Sequence, residues 1–133
     1  VDQTALVKPP LAGGREFINA LAAHGIEVRA ACWLSATYND DKWFLMIATP
    51  VADAGEKGLV LIEIHKLLAD SPQWGIDPDD VSLVPSNHLI VSEVEPLLKG
   101  RTGLGAVRYY GFKLGGRRVT DAYIYPVVSP VAA

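Results

Sequence analysis

Apolar residues recur along this chain with two different periods. In REFINALAAH, Arg15 to His24, Phe17, Ala20, Leu21 and His24 fall on one side of a 3.6-residue helix, with Ile18 beside them. Gly25 follows directly and suits a left-handed helix end, and His24 stands where a basic side chain meets the last carbonyls. From Ile26 to Ser35 the period drops to two. Val28, Ala30, Cys32 and Leu34 alternate with Arg29, Ala31, Trp33 and Ser35. Lys42 to Thr49 is apolar after its first residue, the pattern of a strand covered on both faces. Between the two runs lies ATYNDD, Ala36 to Asp41, whose Asn39, Asp40 and Asp41 bond readily to their own backbone and favour a turn. The whole stretch therefore predicts a β-hairpin, with Trp33 and Trp43 near its loop end and placed to pack across the strand pair.

Pro50 ends the second strand. Asp53 and Glu56 have the spacing of a reciprocal N-cap, and Ala54 to Asp70 is the longest predicted helix. Val60, Ile64, Leu67 and Leu68 form its apolar face, widened by Leu61, while Glu56, Glu63, Lys66 and Asp70 mark the wet side. Ser71-Pro72 closes it. SPQWGIDPDD reads as a surface loop from which Trp74 and Ile76 tuck back, with Asp77-Pro78 opening a short turn. Val81 to Pro85 predicts a short strand. Asn87 to Lys99 reads two ways: a strand at Leu89 to Val91, or a helix capped by Ser92 and Glu95 with Pro96 in its first turn. Gly115-Gly116 between Ala106 to Leu114 and Arg117 to Val127 is a two-residue hairpin signal. Setting Leu114 opposite Arg117 brings Arg108 to Tyr123 and Lys113 to Arg118. Pro126 and Pro130 suggest that the last strand runs out at an edge.

These elements predict an α+β fold: a mostly antiparallel sheet with two hairpins, and helices packed on one face, because each amphipathic element must bury its apolar side. Residues 1–14, stiffened by Pro9-Pro10 and broken by Gly13-Gly14, read as an N-terminal arm. Residues 15–133 read as a single globular domain, a length that sustains one core.

Composition removes several classes of function. One cysteine permits no internal disulfide and no thiolate-rich zinc site. Cys32, inside an apolar run, reads as a buried packing thiol. No run of apolar residues is long enough for a spanning helix, and the first residues lack the form of a signal peptide, so a cytoplasmic protein with no membrane partner is expected. The net charge of −3 is uneven. Up to Leu98 there are six basic and fourteen acidic residues, and from Lys99 onward six basic and one acidic.

Candidate chemistry is sparse. No zinc-protease, phosphate-loop or nucleophile-elbow motif is present, and no cofactor is expected. His24, His65 and His88 share no ligand spacing. Asp40 at the hairpin turn and Asp77, Asp79 and Asp80 in DPDD supply oxygen ligands of the kind Mg²⁺ takes, should they converge. The last hairpin is the better surface candidate. Arg108, Lys113, Arg117 and Arg118 interleave with Tyr109 and further aromatics, a pattern able to contact phosphates and stack bases. The acidic remainder of the chain would keep such binding weak.

The stretch GREFINALAAHGIEVRAACWL, continuing to KWFLMIATP, resembles segments of small uncharacterised bacterial proteins, through Gly14-Arg15, Val28 to Ala31 and Ile47 to Pro50. The resemblance implies a bacterial source and no particular activity. The functional expectation is a non-enzymatic protein-interaction or structural domain, with a protein partner or self-association. The alternative is nucleic-acid binding, with metal-dependent phosphodiester cleavage as its extension.

Overall fold

The computed structural model describes residues 9–36, 43–52, 57–99, 106–109, 113–114 and 116–126. Helix α1 spans Leu11–Ala23, strand β1 Ala30–Ala36, β2 Trp43–Ala48, helix α2 Lys57–Asp70, β3 Val81–Val84, helix α3 Leu89–Leu98, β4 Val107–Tyr109, β5 Lys113–Leu114 and β6 Arg117–Tyr125. The sheet order is β3-β2-β1-β6-β4, with β5 paired to β6 off the main path. Among the described residues all pairs are antiparallel except β2 with β3. The α+β reading with a mainly antiparallel sheet therefore holds. The parallel pair follows from α2, which carries the chain from β2 back over the sheet to β3, as a crossover between parallel strands requires.

The alternation read in β1 is the alternation of the two cores. Ala31 and Trp33 join Leu45, Ile47, Leu83, Tyr123 and Tyr125 on one face, under Phe17, Ile18 and Leu21 of α1 and Ile64 and Leu68 of α2. Ala30, Cys32 and Leu34 join Met46, Ala48, Ala122 and Ile124 on the other, under Ile90 and Val94 of α3. Two helices thus share one face, as expected, and α3 takes the opposite one. This is why β2 is apolar almost throughout: from Leu45 to Ala48 it is buried on both sides.

Several local signals are met. Gly25 has φ +80°, and the His24 ring contacts the Ala20 carbonyl through Nδ1 at 2.9 Å. Trp74 packs its ring against Phe17 at 6.0 Å and donates to Glu16, and Ile76 is buried. Asp77 caps the turn at Pro78–Asp80, accepting from the Asp79 N–H at 2.9 Å. In the last hairpin Leu114 pairs with Arg117, Lys113 with Arg118 and Arg108 with Tyr123, the expected register.

Others differ, each for a packing reason. Helix α1 begins at Leu11, inside the expected arm, and Gly13-Gly14 lies within it rather than breaking it. There the glycines answer to close contacts. A Cβ at Gly13 would stand 2.0 Å from the Trp74 carbonyl oxygen, and one at Gly14 2.2 Å from the Tyr125 hydroxyl. Strand β1 begins only at Ala30. Asn87 to Lys99 resolves to helix, but its cap is His88, whose Nδ1 accepts from the Ile90 N–H, and not Ser92. Pro96 falls near the helix end, where the carbonyl that it leaves without a donor is that of Ser92. Trp43 sets its ring against Tyr123 at 5.7 Å instead of against Trp33. Strict alternation along β6 fails because the register with β1 shifts between Ser35 and Ala36. Val119, which strict alternation would set on the face of Asp121 and Tyr123, therefore joins the α3 face. The turn at Ala36–Asp41 and the Asp53–Glu56 cap lie outside the described residues, apart from the backbone of Ala36.

Gly116 has φ +77°, and a Cβ there would meet only Leu89, at an ordinary 3.8 Å. The constraint is thus the backbone rather than space. Gly116→Val should lower stability by more than about 1 kcal/mol, read from the urea midpoint; an unchanged midpoint would contradict the left-handed turn.

Candidate functional site

The structure separates the residues of the expected basic face. Arg108 is committed to Asp121, donating from Nε at 3.1 Å and from Nη2 at 2.5 Å, and its guanidinium lies 5.2 Å from the centre of the Tyr123 ring. A bidentate pair of this kind neutralises the charge that a phosphate would need. Tyr109 points to the other face and packs, half-buried, against the α3 core. Tyr123 and Tyr125 are buried beneath α1 and α2 and present no ring to a stacked base. Lys113 and Arg118 face each other across β5 and β6 and are both exposed. Arg117 stands opposite Leu114, with its side chain outside the described residues.

The carboxylates give no assembled metal centre. Among the described residues, no three His, Cys, Asp or Glu side chains come together to hold an ion. Asp77 uses its carboxylate on its own turn, and Asp40 lies outside the described residues. Among the described residues no helix is long and apolar enough to cross a membrane.

Among the described residues, the groups whose protonation is displaced are displaced chiefly by burial. Cys32 is fully buried, and desolvation, aided by the charge of Glu93, pushes its thiol up to about 12. Burial also pushes the Tyr125 phenol up to about 12, against the opposing effects of its bond from Trp33 and of the Arg15 charge. Burial lowers the Arg15 guanidinium from its ordinary value, with Tyr125 opposing. Arg15 lies over the Tyr125 ring at 5.2 Å and donates to the Pro126 carbonyl at 2.7 Å. A thiol protonated at neutral pH is a poor nucleophile, which agrees with a packing role for Cys32.

The more open feature lies beside α3. A groove of about 720 Å³ runs along its C-terminal half, with Val91, Val94 and Leu98 as the apolar floor and Arg29, Glu95 and Lys99 on its rim. Arg29 is tied to Glu27. Among the described residues the side chains of Glu95 and Lys99 make no ion pair or hydrogen bond. The groove is lined by α3 itself and by Arg29 before β1, while the sheet face beneath α3, with Cys32 and Met46, is buried. Sequence reading missed it. Its signal is the i, i+4, i+7 spacing of Val91, Glu95 and Leu98, which emerges only once Leu89–Leu98 is known to be helix. A second opening, of about 390 Å³, lies at the edge strand β3 between Phe44, Met46, Leu61 and Ser82, with Asp79 beside it.

No family model, curated protein or solved structure matches the chain. The resemblance through Gly14-Arg15, Val28 to Ala31 and Ile47 to Pro50 therefore stands on those residues alone.

The folded state holds the Cys32 and Tyr125 protons to about pH 12, above the ordinary values of 9.0 and 10.0 at which an unfolded chain releases them. Their contribution to stability is thus complete below about pH 9 and is lost as the pH rises towards 12. The urea midpoint should fall steadily across that range, and Cys32→Ala should move the onset from about 9 to about 10. In parallel, a thiol reagent should label native protein slowly and unfolded protein fast at neutral pH. Rapid labelling of the native form, or a midpoint flat to pH 11, would contradict this.

Proposed function

We propose that this is a non-catalytic protein-interaction domain whose contact surface is the groove beside α3. The observation that carries the reading is an apolar floor left open next to a helix, with charges confined to the rim, the anatomy of a protein interface in which a dry centre is ringed by polar groups. The displaced protonations of Cys32 and Tyr125 support it, since both side chains belong to the core rather than to an open cleft. A cytoplasmic setting suits the single buried thiol.

A second reading, weak nucleic-acid binding, draws on the exposed Lys113 and Arg118 pair. It expects oligonucleotide anisotropy that falls steeply between about 50 and about 200 mM salt and that vanishes on reversing those two charges. The tying of Arg108 to Asp121 favours the protein-binding reading over it.

The groove is tested by placing a benzophenone amino acid at Val91, with Glu63 on the outer side of α2 as the control position. Photolysis in cells should yield a discrete protein adduct from Val91 and none from Glu63. No adduct from Val91 in a variant with an unchanged urea midpoint, or equal adducts from both positions, would contradict the reading.

A further inference from the structure

We draw no further inference here: the strongest candidate, the opening at the edge strand β3 between Phe44, Met46, Leu61 and Ser82 with Asp79 beside it, carries nothing because nothing in the structure shows what covers it.

Discussion

The hydroxyl of Tyr125 joins three parts of this fold that are far apart in sequence. It accepts the Trp33 indole N–H at 2.9 Å and donates to the Leu11 carbonyl at 2.7 Å, so that β1, β6 and the first turn of α1 meet at one oxygen. Trp33 and Tyr125 are both almost fully buried, and in that setting an unmet donor or acceptor costs about 1–3 kcal/mol. The arrangement satisfies each group with another. It also dictates the sequence around it. Position 14 faces the hydroxyl and leaves no room for a side chain. Arg15, one residue on, covers the phenol ring and ties the end of β6 through the Pro126 carbonyl. The start of α1 is thus placed by the sheet rather than by its own propensity, since Gly13 and Gly14 are poor helix formers.

The same dependence explains which parts of the fold were legible in the sequence. Features set by neighbours in the chain could be read: the alternation in β1, the left-handed Gly25 after His24, the Asp77 cap, and the last hairpin, whose register a two-residue glycine turn nearly determines. Features set by distant contacts could not. The glycine pair that looks like a break lies inside a helix because Trp74 and Tyr125 need the space. The segment Leu89 to Val91 looks like strand, but its apolar residues serve a helix over the second sheet face. The shift between Ser35 and Ala36 that moves Val119 to that face leaves no mark in local composition.

The candidate site follows the same division. The basic and aromatic residues of the last hairpin are conspicuous in sequence because they alternate, yet their roles are decided across strands, where Asp121 takes Arg108 and the helices cover Tyr123 and Tyr125. The α3 groove has the opposite character. It is formed by one side of α3 together with Arg29, and no short motif announces it.

The dependence of α1 on the Tyr125 hydroxyl can be measured by a double-mutant cycle of Gly14→Ala and Tyr125→Phe, read from urea unfolding. Any gain in helix propensity from alanine enters with and without the hydroxyl and cancels in the cycle. The account predicts that Gly14→Ala costs about 1–3 kcal/mol in the wild type and distinctly less once the hydroxyl is gone, a coupling of at least about 0.5 kcal/mol. Additive effects, within about 0.3 kcal/mol, would show that Gly14 and Tyr125 act independently and that this oxygen does not hold the helix to the sheet.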